Sequence, residues 1–87
     1  MELIFPNESR SYDVTRNTVR FWGYVSSIES SFFVTVEALK RIHPGLVQDT
    51  ASFLDAFDAH RDLIYKTAAK VFARGRRGSY ELVAADF

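Results

Sequence analysis

Residues 49–75 read DTASFLDAFDAHRDLIYKTAAKVFARG, and the period of this stretch decides the fold. On a wheel turning about 100° per residue, Phe53, Phe57, Ile64, Ala68 and Val71 share one stripe. Leu54, Tyr65 and Phe72 widen it on one side, and Ala56 and Leu63 on the other. Asp55, Asp58, Asp62, Lys66 and Lys70 lie opposite. An apolar arc this broad belongs to a helix lying on a core, not to a narrow coiled-coil seam. Asp49, Thr50 or Ser52 can cap its start, and Ser52 with Asp55 has capping-box spacing. Gly75 stands where a left-handed closing residue is wanted. Acids lead and bases follow, as the helix dipole prefers. The pattern predicts one long helix over roughly 51–74, with the Phe53 stripe facing a sheet.

The sheet is expected upstream. In TVRFWGYV (18–25), Val19, Phe21, Gly23 and Val25 alternate with Arg20, Trp22 and Tyr24. In IESSFFVTV (28–36), Ile28, Ser30, Phe32, Val34 and Val36 share one face, and Glu29, Ser31, Phe33 and Thr35 the other. Ser26 and Ser27 between the runs predict an antiparallel hairpin. Leu3 to Phe5, stopped by Pro6, reads as an edge strand or an anchored tail, and Tyr12 to Val14 as a short strand or turn. Thr35 can cap a short helix that ends at His43, Pro44 and Gly45. After Gly78, Tyr80, Leu82 and Ala84 alternate with Glu81 and Val83 as a last strand. Strands first and helices later predict an α+β fold. Its small antiparallel sheet would carry one long and one short helix, packed on one face.

The 87 residues are expected to form a single domain, 1–87. A chain this short buries a modest core, and its aromatic content of 15% enlarges the area each buried residue contributes. With no cysteine, disulfides and thiol chemistry are ruled out, which fits a reducing cytoplasm. The N-terminus lacks the basic-then-apolar pattern of a signal peptide. No apolar run approaches the ~18 residues of a membrane span. The expectation is a cytoplasmic protein without membrane contact. A net charge of zero argues against a globally basic nucleic-acid binder.

Several motifs together carry a resemblance. They are IFP near the start, YDxxRxxVRF (Tyr12 to Phe21), VxxEAL (Val34 to Leu39), AFDAHR (Ala56 to Arg61) and RGRRGSYELVAADF (Arg74 to Phe87). In this order they resemble the small bacterial domain-of-unknown-function family 1488, DUF1488, over nearly the whole chain. The resemblance implies a stand-alone α+β protein, mostly of proteobacteria. It brings no activity, cofactor or catalytic residue to carry over.

The candidate site residues are each open to two readings. His60, inside the apolar arc, is a general base or a core histidine bonded to a backbone group or a carboxylate. Arg61 is a functional cation or an anchor that pairs Asp13, Glu37 or Asp86. The two histidines are seventeen apart and lack H-x-x-x-H spacing, so no metal and no cofactor is expected. Arg74, Arg76 and Arg77, interleaved with Gly75 and Gly78, are a phosphate contact or a solvated loop. Arg20, Trp22 and Tyr24 form a stacking surface, a homodimer contact or a surface under a helix. A non-enzymatic binding or interaction module of unknown partner is the leading expectation. The alternative is weak binding of RNA or single-stranded DNA through the Arg74–Arg77 loop and the aromatic sheet face.

Overall fold

Alternation in the two central runs becomes two paired strands in the computed structural model, which describes residues 2–87 and so leaves Met1 outside. After the short β1 (Leu3–Ile4) and β2 (Arg10–Asp13), the hairpin is β3 (Thr18–Val25) and β4 (Ile28–Thr35). Its register runs from Thr18 opposite Thr35 to Val25 opposite Ile28, so Ser26 and Ser27 are the whole turn. Ser26 accepts a left-handed φ of 55° to close it. Both β1 and β2 pair antiparallel with the outer edge of β3, β1 at its end and β2 at its beginning.

Thr35 caps α1 (Val36–Ile42), its hydroxyl accepting from the Ala38 N–H at 3.1 Å. Of the three candidate caps for the next helix, Asp49 does the work. Its carboxylate accepts from the Ser52 N–H at 2.7 Å, and that backbone bond holds it below the ordinary carboxylate range. The expected single helix is divided into α2 (Thr50–Ala59) and α3 (Arg61–Ala73), with His60 at φ −120° and ψ 25° between them. The apolar phase runs straight through the break, which is why the wheel does not show it. The cause lies in His60 itself. In a straight helix its imidazole would occupy the middle of the apolar arc, where a polar ring without a partner is costly. At the break it meets His43 instead. Gly75 has φ 156°, which is not the expected left-handed closure; Gly45, just beyond α1, does adopt one at φ 82°.

The chain returns as β5 (Ser79–Leu82), which lies parallel to β4, with Phe32 opposite Tyr80 and Val34 opposite Leu82. The sheet is therefore mixed, not antiparallel throughout. Three helices separate β4 from β5, and such a crossover brings the chain back in the same direction. A 3₁₀ turn, Ala84–Asp86, replaces the last alternation read from the sequence. The α+β class stands: five strands with the helices packed against one sheet face.

That face is aromatic. Phe21 lies 5.4 Å from Phe32 and 5.1 Å from Phe57, centre to centre, and Phe5 stacks flat on Tyr65 at 4.1 Å. Phe53, Phe57, Ile64, Ala68 and Val71 are all buried, as the wheel predicts. Gly23 makes room for Phe5. A Cβ there would stand 2.8 Å from the Phe5 ring and 3.1 Å from Phe32. Gly23→Ala is expected to lower stability by about 1–3 kcal/mol through overpacking. Phe57→Ala is expected to cost about 3–5 kcal/mol. Urea denaturation of the two variants beside the parent chain checks both values.

Candidate functional site

Register decides which side chains share the uncovered face. Arg20 stands beside Ser11 on one side and Phe33 on the other, and Phe33 stands beside Glu81. Trp22 stands beside Ser31, and Tyr24 beside Glu29. The arginines are laid over rings. The Arg16 guanidinium sits 4.1 Å above the centre of Phe33, and that of Arg20 sits 5.1 Å from Trp22 and 5.5 Å from Phe33. Arg20 also donates from Nη2 to Ser31 Oγ at 2.9 Å, while its buried Nε has no partner among the described residues. Under this cover Phe33 is only 7% exposed, although no helix lies on it. Tyr24 donates its hydroxyl proton to Glu29 at 2.7 Å, and the carboxylate raises the phenol above its ordinary pKa. The result is a row of flat, polar-edged groups held in place by one another.

The structure places Arg20, Trp22 and Tyr24 together, as their alternation predicts. It adds Arg16 and Phe33, which the sequence reading does not single out as site residues. Phe33 was legible from register. Arg16 belongs to a turn in which the Asp13 carboxylate accepts the Thr15 and Arg16 N–H groups at 3.0 and 3.1 Å. The Asp-x-Thr-Arg-Asn string signals that turn, but not where its arginine side chain lands.

His60 lies elsewhere, on the helix side. Its Nε2 is 3.1 Å from Nδ1 of His43, with the rings edge to face. One ring must donate and the other accept, so the bond requires at least one neutral imidazole. Neither ring is hydrogen-bonded to a serine or a carboxylate among the described residues. No group of three metal-ligating side chains is found among the described residues.

Arg61 departs from the expected partners. It pairs Asp58 rather than Asp13, Glu37 or Asp86, and it also donates to Tyr65 Oη at 2.7 Å and to the Glu8 carbonyl at 3.1 Å. Asp58 is shared. Arg10 clamps it in two-pronged fashion, Nε to Oδ1 at 3.0 Å and Nη2 to Oδ2 at 2.8 Å. Asp58 and Arg61 are three apart along the chain, across the break, which explains the Arg61 choice; only the fold could bring Arg10 to Asp58. Among the basic-loop residues, Arg74, Arg76 and Arg77 are all exposed. Arg74 pairs Asp86 at 3.0 Å, so the three are not equivalent.

A two-layer α+β domain with one sheet face uncovered is the class these features define. The chain belongs to the family described as protein of unknown function (DUF1488), which it matches over residues 3–83. It is similar to the 1.60 Å crystal structure of a protein of unknown function of that family from Shewanella loihica PV-4. The TM-score is 0.83 and the identity 17%, with 94% of each chain covered. At that identity the likeness concerns the fold. No functionally curated protein matches the chain. No helix among the described residues is long and apolar enough to cross a membrane.

The Asp58 clamp sets an acid response. The Arg10 hydrogen bond, aided by that of Arg61 and opposed by partial burial, holds the Asp58 carboxyl below its ordinary range. A depressed carboxyl stabilises the fold fully above its unfolded pKa of about 3.9, and the contribution is lost as pH falls through the folded value. Asp58→Asn should therefore be less stable than the parent at neutral pH, by about 1 kcal/mol given the solvent screening of these side chains. The two stability curves should converge in acid. Chemical denaturation across a pH series measures the convergence.

Proposed function

We propose that this protein is a non-enzymatic interaction module, acting as one domain in the bacterial cytoplasm, and that the uncovered sheet face is its working surface. The partner that face suits best is a second copy of the chain. One observation carries the reading: a preorganised row of Arg16, Phe33, Arg20 and Trp22 with no helix over it. Trp, Tyr and Arg are the residues that concentrate binding energy at protein interfaces. Rings fixed by stacking lose little side-chain freedom on association.

Charge favours a protein over a polyanion. Arg16 and Arg20 are the bases of the face, and Asp13, Glu29 and Glu81 are its acids. A single-stranded nucleic acid wants a positive track alongside its stacking rings. Here the guanidiniums are already laid on rings, and acids share the face with them. A surface of mixed sign can instead complement itself across a two-fold axis, arginines of one copy meeting glutamates of the other.

Sedimentation equilibrium over a concentration series is expected to show a reversible dimer. Trp22→Ala should weaken it by about thirtyfold or more, the effect of removing a central aromatic anchor. Acrylamide quenching of Trp22, the one tryptophan, should fall as the dimer forms. A strict monomer whose Trp22 is quenched equally at every concentration would remove the second copy as partner. Salt-sensitive binding of a polyuridine strand by the parent chain, lost in Trp22→Ala, would establish the nucleic-acid alternative in its place.

A further inference from the structure

Arginine usage singles out a second place on the molecule. The chain has eight arginines. Arg10, Arg61 and Arg74 pair carboxylates, and Arg41 donates to the Phe87 carbonyl. Arg16 and Arg20 lie over rings. The side chains of Arg76 and Arg77 are the two that have no partner among the described residues. Both line a crevice of 330 Å³ between the β3–β4 turn and the loop that leads from α3 to β5.

Its remaining walls are largely apolar. Phe72 and Tyr80 stand with ring centres 5.1 Å apart on one side, and Val25 and Ile28 contribute the other. Ile28 is 67% exposed at the rim, unusual for a large aliphatic side chain in a strand. The loop is tied down where it matters: the Arg77 N–H donates to Tyr80 Oη at 3.0 Å, which fixes the backbone carrying both arginines beside the ring wall. Glu29 also lines the crevice, with a carboxylate oxygen engaged by Tyr24. The site thus has an apolar interior, two unpaired guanidiniums and one carboxylate, an excess of one positive charge. The volume lies within the range of small-molecule sites, about 300–1,000 Å³, in which a few placed polar groups fix orientation.

We propose that this crevice binds a small aromatic acid: one ring seated against Phe72, Tyr80 and Ile28, with its carboxylate or phosphate held by Arg76 and Arg77. Guanidinium forks match both acid groups, and the ring supplies the apolar area that an inorganic anion lacks. The crevice shares Glu29 with the open sheet face, but its test reads Arg76 and Arg77, which that face does not use, so the two proposals fail separately.

Benzoate and phenyl phosphate are the probes, with benzamide as the uncharged ring and inorganic phosphate as the acid without a ring. Titrations followed by amide chemical shifts should give saturable movement at Ile28, Gly78 and Tyr80 with benzoate, phenyl phosphate or both. Benzamide and inorganic phosphate should bind at least about tenfold more weakly, because each lacks one half of the recognition. The Arg76→Ala/Arg77→Ala double variant should lose at least about tenfold in affinity while its melting temperature stays unchanged, since exposed charges contribute little to stability. Ile28→Asp should weaken binding too, by taking away apolar wall and adding like charge. Saturation by phenyl phosphate alone would assign the site to phosphate monoesters, and by benzoate alone to carboxylates. No saturable shift at millimolar acid, or equal affinity for benzoate and benzamide, would overturn the proposal. So would a double variant that binds as well as the parent.

Discussion

Phe21 is the side chain on which the two layers meet. Its ring is in contact distance of Phe5 from the N-terminal strand, Phe32 from the neighbouring strand, and Phe57 and Tyr65 from the two long helices. A domain of this length has few buried residues from which to draw stability, and large rings supply the most area per position. Because these rings come from every part of the chain, the core cannot be assembled piecemeal. The N-terminal strand has only two residues, yet Phe5 just beyond it reaches the centre because Gly23 has no side chain. A short and otherwise weak edge segment is thereby held by packing rather than by its two ladder positions.

The break at His60 follows from the same crowding. With the Phe53 stripe committed to the sheet, a polar ring in that stripe needs a partner, and His43 at the end of α1 is within reach. The bond couples all three helices at one point. Asp58, two residues before His60, is clamped by Arg10 from β2 and Arg61 from α3. The helical layer is thus tied to the sheet edge by charge where the aromatic packing ends. His60 and Arg61 both have partners close at hand, His43 for the one, and Asp58, Tyr65 and the Glu8 carbonyl for the other.

The molecule sorts its arginines by role. Some hold the architecture, two lie on the rings of the open face, and two line a crevice without pairing a carboxylate. A net charge of zero conceals this division, since it says nothing about which cations are already neutralised by neighbours. Local pairing, not composition, distinguishes a structural arginine from one left available to a ligand.

From the sequence alone, the hairpin and its faces, the two capped starts and the buried stripe of the long helical segment could be read, because each follows from local period or local hydrogen bonding. The family resemblance and the α+β class were legible for the same reason: the motifs keep their order along the chain. Only the tertiary structure decided the rest. The parallel placement of β5 depends on where three helices deliver the chain, and the break at His60 on a partner seventeen residues away. The choice of Asp58 by Arg10 spans forty-eight positions. Arg20, Trp22 and Tyr24 were visible as a face because strand alternation is local. Arg16 over Phe33, and the separation of Arg74 from Arg76 and Arg77, were not. Side-chain pairing between distant elements is set by how the layers stack, and no period along one strand or helix records it.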